Sequence, residues 1–289
     1  MSPHRAAVLG HPIAHSLSPV LHRAAYAELG LDGWRYDAVD VTEEQLPAFV
    51  GQLDGEWAGL SLTMPLKKAV LGLLDHVEPL AEVVGAVNTV LVQAGRPSAP
   101  PVLVGVNTDV AGVVAALREG LPAGATVRRA VVLGAGATAA STLAALAQLG
   151  CPTPQVFVRS MARAGSTMRA SHRMGVDPAF LVMEPAERLA AALAAADVVV
   201  STLPPHAADP WAEQIRSRAT STPGVLLDCA YDPRPTALGA AWRDGGGVVV
   251  GGERMLLHQA AEQVRLMTGR PAPLHAMEAA LAAALESIS

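Results

Sequence analysis

The sequence predicts an α/β fold with two domains, and three observations support this prediction. The chain has 289 residues, which is enough for two domains of roughly 100–200 residues each. Strand-like apolar runs alternate with helix-like segments, as is typical of parallel sheets with helical crossovers, and the alternation starts again after Gly124. Because 51% of the residues are hydrophobic and 16% are charged, both domains can bury a core.

The first domain is predicted to span residues 1–108. Ser18 has the character of a helix N-cap, and Gly30 marks the C-terminal end of the same helix. Thr42 and Gln45 form a capping box for a second helix. The strands of this domain are expected at residues 5–9, 34–39, 58–62, 88–92 and 102–106, with the last two paired as a hairpin.

The second domain is predicted over residues 109–252, with a first helix that begins at Asp109. Its strands are expected at residues 130–133, 155–158, 197–201, 225–229 and 247–250. Two further helices follow Gly252. Because a helical tail must bury its apolar stripe, we expect residues 253–289 to return to the first domain.

A glycine-rich turn follows the first strand of the second domain. The apolar run 131–133 ends at Gly134, Ala135, Gly136, Ala137 and Thr138, and an alanine-rich helix follows. Glycines let the backbone approach a pyrophosphate, and the helix N-terminus stabilises its negative charge. The sequence therefore predicts a Rossmann-like, doubly wound dinucleotide-binding domain; the alternative is a turn that merely joins a core strand to a core helix.

Arginines indicate which dinucleotide binds. No Asp or Glu occurs from Gly120 to Val176, and Arg159 directly follows the second strand of this domain. An NAD site needs a carboxylate there to accept the ribose 2′-hydroxyl, whereas a guanidinium suits a 2′-phosphate. The predicted cofactor is NADP(H).

Composition excludes several classes of function. The net charge of −5 argues against a nucleic-acid partner. We expect no membrane partner and a cytoplasmic location, because the chain has no uncharged apolar run of about 20 residues and its N-terminal apolar run is too short for a signal peptide. No metal site is predicted: Cys151 and Cys229 lack ligand spacing, and His11, His15 and His22 are interpreted as loop and surface residues.

Asparagine occurs only at Asn88 and Asn107, and each is followed by threonine. Either residue alone is most simply a turn or cap residue. Two Asn-Thr pairs at the ends of paired strands, next to Asp109, instead predict a polar cluster at a domain junction, where ligands often bind.

Lys67 follows Pro65, which opens a helix predicted to run to Leu74. A cation in the first turn faces the positive end of the helix dipole, which favours the neutral amine by about 0.3–1 kcal/mol. Paired with a carboxylate such as Asp109, Lys67 is a candidate proton donor and acceptor; the alternative is a solvated lysine, as expected for Lys68.

Ser16 and Ser18 lie in the loop after the first strand. Capping explains Ser18, whereas nothing local explains Ser16. Two hydroxyls beside a helix N-terminus form a plausible carboxylate site.

Five motifs occur in order along the chain: residues 10–19 (GHPIAHSLSP), 62–67 (LTMPLK), the pair 85–89 (GAVNT) and 107–109 (NTD), residues 228–233 (DCAYDP) followed by Pro235-Thr236, and Gly252 followed by 255–260 (MLLHQA). Together they resemble the shikimate dehydrogenase family over nearly the whole length.

This resemblance implies a reversible NADPH-dependent reduction of 3-dehydroshikimate to shikimate, in aromatic amino-acid (chorismate) biosynthesis. It implies Lys67 and Asp109 as the acid/base pair and Ser16 and Ser18 as carboxylate ligands. The implied ligands of the ring hydroxyls are Thr63, Asn88, Asp109 and Gln259, and Tyr231 also lies on the substrate. Besides the glycine turn and Arg159, the implied cofactor ligands are Ser160, Arg163, Ala230, Gly252 and Met255.

Three positions depart from the family pattern. Ser61 stands where many members carry Asn, Val106 where an acid is common, and Val158 where Asn often precedes the arginine. Quinate or an amino-substituted shikimate therefore stays open as the substrate, as does a non-catalytic NADPH-binding sensor. The oligomeric state is expected to be a monomer or homodimer.

Overall fold

A computed structural model describes residues 4–93, 95, 99–217 and 222–288. The chain forms two compact units. The first comprises residues up to Thr108 together with those from Gln259 onward, and the second runs from Asp109 to His258. The chain was expected to return to the first domain at residue 253. The unit boundary lies later because a continuous helix crosses this part of the chain.

The first unit is built on a mixed sheet. Its strands are β1 (His4–Gly10), β2 (Trp34–Asp40), β3 (Trp57–Leu62), β4 (His76–Val77), β5 (Thr89–Gln93) and β6 (Val102–Val106). They lie in the order β2-β1-β3-β5-β6-β4. Strands β1, β2 and β3 are parallel, whereas β5 pairs antiparallel with both β3 and β6. The predicted hairpin is confirmed, and the two-residue β4 was not predicted.

The helices of this unit before Asp109 are α1 (Ser18–Glu28), α2 (Leu46–Val50), α3 (Leu66–Ala69) and α4 (Pro79–Val84). The predicted helix from Pro65 to Leu74 is present over nearly its whole length, but only its first turn, α3, is α-helical and the rest is a 3₁₀ turn over Val70–Leu73. Strand β1 is buried on both faces: Ala7 and Leu9 pack into one core, and Ala6 and Val8 pack into another beside Tyr36. Alternating side chains of a strand point to opposite faces, so helices must cover both.

The second unit contains a fully parallel sheet. Its strands are β7 (Ala130–Leu133), β8 (Gln155–Val158), β9 (Ala179–Val182), β10 (Val198–Ser201), β11 (Val225–Asp228) and β12 (Val248–Gly251). The order β12-β11-β10-β7-β8-β9 is that of a doubly wound dinucleotide-binding fold, which reverses direction between β7 and β10. The predicted fold class is confirmed. The edge strand β9 was not predicted, because its four residues are partly exposed and lack a clear alternation.

Helices alternate with these strands: α5 (Asp109–Gly120), α6 (Ala137–Gln148), α7 (Gly165–Met174), α8 (Ala186–Ala195), α9 (Asp209–Ser217) and α10 (Ala237–Asp244). Two further helices follow, α11 (Gly252–Thr268) and α12 (Leu274–Ile288). Helix α12 packs against α1, so the C-terminal helix belongs to the first unit. Within the described ranges, every helix is too short or too polar to cross a membrane.

Candidate functional site

Backbone hydrogen bonds bring three predicted site residues to one edge of the first sheet. The Thr63 N–H donates to Leu9 O (2.9 Å), and the Val87 N–H donates to Lys67 O (2.8 Å). Strand β5 runs antiparallel to β3, so it starts where β1 and β3 end. Thr63, Lys67 and Asn88 therefore lie at the carboxyl edge of this sheet.

The side chain of Asn88 is buried and its orientation is determined by its partners. Its Oδ1 accepts the backbone N–H of Thr108 (2.7 Å), and its Nδ2 donates to Gln259 Oε1 (3.2 Å). Asn88 and Gln259 are thus brought together within the first unit. The Asn107 amide instead donates to Ala86 O (2.8 Å), which supports the turn interpretation for Asn107 and leaves Asn88 as the candidate site residue.

The loop after β1 leads into helix α1 in a different way from that predicted from the sequence. Helix α1 begins at Ser18 with Leu17 as the N-cap residue and no side-chain cap, so the prediction that Ser18 is the N-cap is wrong. Ser16 makes the local side-chain hydrogen bond instead, because its Oγ accepts the Ser18 N–H (3.3 Å). Ser18 is buried, and its carbonyl accepts a hydrogen bond from His22 Nδ1 (2.9 Å). The error arose because the loop turns one residue earlier than the Ser-Pro pattern suggests.

His22 is buried, and its interpretation as a loop or surface residue is wrong. Its ring stacks on Tyr36 with the centroids 3.9 Å apart, and its Nδ1 bonds to Ser18 O (2.9 Å). Because a carbonyl can only accept, Nδ1 carries the proton. Burial lowers the pKa of His22 from 6.5 to about 4, so the ring is neutral at pH 7. His11 and His15 are exposed, as predicted.

The buried neutral imidazole predicts a stability that falls in acid. Between pH 6.5 and about 4 the unfolded chain binds a proton at His22 that the folded chain does not, so the free energy of unfolding decreases as the pH falls. At pH 5 the expected loss is about 2 kcal/mol relative to pH 7.5. Urea unfolding of the wild type, His22→Phe and the exposed-site control His15→Phe measures it. Only His22→Phe should flatten the pH dependence, and an unchanged slope in that variant contradicts the prediction.

Lys67 belongs to the first unit and Asp109 to the second. Lys67 is half-buried on α3, whereas Asp109 is buried as the first residue of α5. Among the described residues, no group of three or more His, Cys, Asp or Glu is placed to hold a metal ion.

The glycine turn of the second unit has the backbone geometry that close approach of a ligand requires. Gly134 has φ +104°, and a Cβ there would lie 2.6 Å from Thr202 Oγ1, so only glycine fits. Gly136 precedes α6 and faces open space. Thr167 on α7 donates to Ala135 O (2.7 Å) and holds the turn in place; the sequence offered no signal for this contact.

The arginines predicted to select the cofactor follow β8, the strand next to β7. Arg159 and Arg163 are exposed and Ser160 is half-buried. Arg163 ends a 3₁₀ turn over Met161–Arg163 rather than lying one α-helical turn beyond Arg159. Ligands of doubly wound sheets bind outside the carboxyl ends of the strands, at the switch point, and these residues lie at that end of β8.

The loop after β11 is anchored by Asp228. Its carboxylate accepts the Thr236 hydroxyl (2.8 Å) and the Ala230 N–H (3.4 Å), and Thr236 in turn caps α10. Burial, only partly offset by these hydrogen bonds, raises the pKa of the Asp228 carboxyl, and burial also raises the pKa of Tyr231 in the same loop. The motif at residues 228–236 was predicted from the sequence, but the role of Asp228 in holding the loop was not.

Gly252 and Met255 meet the same loop. A Cβ at Gly252 would lie 2.3 Å from Cys229 O, and Met255 Sδ lies 3.8 Å from Cys229 Sγ. Ala230, Gly252 and Met255 are therefore brought together at the carboxyl ends of β11 and β12.

An ion-pair cluster that sequence reasoning missed holds the start of α11. Arg254 binds both carboxylate oxygens of Glu119 (2.7 Å each), and His258 Nε2 lies 2.6 Å from Glu119 Oε1. Burial opposes the charge on Glu119, but these hydrogen bonds outweigh it and lower the pKa of that carboxyl. Glu119 lies 135 residues before Arg254 and 139 before His258, so no local pattern could reveal the cluster.

The doubly wound second unit and the polar edge of the first unit define a two-domain α/β protein of the dinucleotide-binding class. The family model of the shikimate dehydrogenase substrate binding domain matches residues 8–90, and that of the shikimate 5′-dehydrogenase C-terminal domain matches residues 252–282.

Curated and solved relatives extend the similarity over the whole chain. Shikimate dehydrogenase (NADP(+)) of Rubrobacter xylanophilus is 37% identical over 95% of this chain and 94% of that protein. The crystal structure of Mycobacterium tuberculosis shikimate dehydrogenase has 42% identity and a TM-score of 0.85, over 97% of this chain and 100% of that one. The Thermus thermophilus enzyme in complex with NADP(H) and shikimate has 34% identity and a TM-score of 0.79, over 97% and 99%. The chain belongs to the shikimate dehydrogenase family, which confirms the resemblance seen in the sequence motifs.

Proposed function

We propose that this protein catalyses the reversible NADP-dependent interconversion of shikimate and 3-dehydroshikimate, as an oxidoreductase acting on a CH–OH group in aromatic biosynthesis. The observation that carries the proposal is the identity of 37% over 95% of the chain to a relative named for this reaction. The buried Asn88–Gln259 pair supports it, because neutral amides recognise hydroxyl groups well. We place the reaction in the cytoplasm, without a nucleic-acid or membrane partner.

The proposed division of labour follows the two units. The hydroxyls of Ser16 and Ser18 hold the substrate carboxylate, while Thr63, Asn88, Gln259, Asp109 and Tyr231 contact the ring. Lys67 and Asp109 move the proton: during reduction they donate one to the carbonyl oxygen as it becomes a hydroxyl, and during oxidation they accept it back.

The second unit fits NADP(H) at its carboxyl strand ends. The φ of +104° at Gly134 and the open space at Gly136 leave room for a pyrophosphate at the start of α6, beside Ala135, Ala137 and Thr138. Arg159, Ser160 and Arg163 would hold the 2′-phosphate, and Ala230, Gly252 and Met255 the nicotinamide end. When bound, the cofactor supplies or accepts the hydride.

A direct assay tests the proposal. The purified protein with shikimate and NADP should produce NADPH, measured by absorbance, and 3-dehydroshikimate should consume it. The same assay with quinate and with an amino-substituted shikimate tests the substrates that the departures at Ser61, Val106 and Val158 leave open, and the assay with NAD tests the cofactor preference. Turnover of quinate with NAD alone would reassign the substrate, and binding of NADP without any turnover would indicate a sensor.

Alanine variants of Ser16 and Ser18 separate a structural role of these serines from binding of the substrate carboxylate. Ser16→Ala removes the acceptor of the Ser18 N–H, so we expect a loss of about 0.5–1.5 kcal/mol in the free energy of unfolding and a higher dissociation constant for shikimate. Ser18→Ala should weaken shikimate binding as well, but through its hydroxyl and not through a helix cap. Calorimetry and urea unfolding measure both quantities. If both variants bind shikimate as the wild type does, the loop is not the carboxylate site.

A further inference from the structure

Four buried polar residues form a continuous hydrogen-bonded chain inside the first unit. The Tyr36 hydroxyl donates to Ser61 Oγ (2.6 Å), and Ser61 Oγ donates to Gln263 Oε1 (2.8 Å). Gln263 Nε2 then donates to Thr89 Oγ1 (2.9 Å), and Thr89 Oγ1 donates to Asn88 Oδ1 (3.0 Å). We call Tyr36, Ser61, Gln263 and Thr89 the buried network. It ends on Asn88, a proposed substrate ligand, and the proposed mechanism uses none of its members.

The other end of the buried network lies beside a proposed substrate ligand. Ser18 O accepts a hydrogen bond from His22 Nδ1 (2.9 Å), and the His22 ring stacks on Tyr36 with the centroids 3.9 Å apart. Burial raises the pKa of the Tyr36 phenol, so this group stays neutral and can donate one hydrogen bond while accepting another. The buried network therefore runs from Tyr36, beside the carboxylate loop, to the Asn88 amide, which is proposed to contact the ring hydroxyls.

The directions of these bonds determine which atoms the amides present. Asn88 Oδ1 receives the Thr108 N–H (2.7 Å) as well as the Thr89 hydroxyl (3.0 Å), so its Nδ2 must be the atom that faces Gln259. Gln259 Oε1 accepts from that Nδ2 (3.2 Å), which turns the Gln259 Nε2 donor away from Asn88. Reversing either amide would set two donors or two acceptors against each other.

Packing alone does not require this arrangement. Gln263 is 1% exposed and Ser61 4%, and burying amides and hydroxyls costs free energy that apolar side chains would avoid. A fully satisfied polar network can instead impose one conformation on the groups it touches. Gln263 lies one helical turn after Gln259 on α11, so it can hold Gln259 and Asn88 together.

We propose that Tyr36, Ser61 and Gln263 are positioning residues that orient the Asn88 and Gln259 amides for recognition of the ring hydroxyls. This inference rests on the proposed function and names further residues for the same site. A buried amide that is moved out of place leaves a hydrogen bond to a ring hydroxyl unmade, and an unpaired buried polar group is costly. The network should therefore act on substrate affinity and leave the cofactor site unchanged.

The chain offers a matched control for Tyr36. Tyr26 belongs to the same aromatic core, 6.4 Å from Tyr36 between ring centroids, and it is 3% exposed. Its buried hydroxyl has no hydrogen-bond partner among the described residues. Tyr26→Phe thus removes the same atom from the same core without breaking the buried network.

The test compares Tyr36→Phe, Gln263→Met and Tyr26→Phe by two readouts. The first is the nitrogen-15 chemical shifts of the Asn88 and Gln259 side-chain amides without ligand, which Tyr36→Phe and Gln263→Met should move and Tyr26→Phe should not. The second is substrate binding: we expect the dissociation constant for shikimate to rise about 3- to 10-fold in Tyr36→Phe and more than about 10-fold in Gln263→Met, with the KM for NADP unchanged. Urea unfolding monitors the fold.

Each outcome decides between the two proposals. If Gln263→Met moves the nitrogen-15 shifts of the Asn88 and Gln259 amides no more than Tyr26→Phe does, the positioning role is overturned. This result does not depend on which substrate the enzyme converts. A folded Gln263→Met variant that moves the amides but binds shikimate as the wild type does also overturns it. If the amides move as expected while the wild type neither binds nor oxidises shikimate, the orienting role stands and the proposed function fails.

Discussion

Replacing Lys67 by alanine is expected to lower kcat for shikimate oxidation by roughly 10²–10⁴-fold, the usual contribution of a positioned acid/base group. Lys67 is half-buried at the carboxyl edge of the first sheet, where its backbone carbonyl accepts the Val87 N–H (2.8 Å). The KM for NADP should hardly change, because the cofactor residues lie in the second unit. Steady-state kinetics with both substrates varied measures the effect.

The neighbouring Lys68 provides the matched control. It is exposed, so Lys68→Ala removes the same charge without removing the proposed acid/base group and should retain near wild-type kcat. A Lys67→Ala variant with more than half of the wild-type turnover would reject the assignment.

The proposed pairing of Lys67 with Asp109 predicts a particular kcat for the double variant. Two groups that move one proton act as a unit, so their losses are not additive. Lys67→Ala combined with Asp109→Asn should therefore be about as slow as the slower single variant. Losses that multiply would mean that the two residues act in separate steps.

Replacing Arg159 by alanine is expected to weaken NADP binding by roughly 10- to 150-fold and to leave NAD binding nearly unchanged. Only NADP carries the 2′-phosphate, and a hydrogen bond to a charged group contributes about 1.5–3 kcal/mol. Arg159 is exposed directly after β8, where an NAD-specific site would carry an acid. Calorimetric titration with both dinucleotides measures the effect.

Arg163 can share the phosphate, since it ends the 3₁₀ turn that follows Arg159. The double variant Arg159→Ala/Arg163→Ala should then lose more NADP affinity than either single variant. Arg188→Ala, an exposed arginine on α8, is the control for lost positive charge. Equal weakening of NAD and NADP in Arg159→Ala would indicate general damage to the site and reject Arg159 as the discriminator.

Site residues in contiguous motifs were easier to predict than those held by distant partners. Gly134 and Gly136 follow an apolar strand directly, so the turn and its helix could be predicted from neighbouring residues alone. Asp228 lay inside a recognised motif, but its contact with Thr236 depends on how the loop folds back. Glu119 and Arg254 are 135 residues apart, and no local pattern relates them.

Burial produced the clearest errors at single residues. His22 was interpreted as a loop or surface residue, yet it is buried and its ring stacks on Tyr36. A sequence shows which side chains are polar, but whether a polar side chain is buried depends on which strand packs over it. Strand β2, which carries Tyr36, provides that cover.

By itself the sequence determined the alternation of strands and helices, the doubly wound second domain with its glycine turn, and the family. These features follow from hydrophobic periodicity and from short motifs, which act over a few neighbouring residues. Only the tertiary structure decided that His22 is buried and neutral and that the buried network runs from Tyr36 to Asn88. Those features depend on contacts between residues far apart in the chain, whose geometry exists only after the strands and helices of the first unit have packed together.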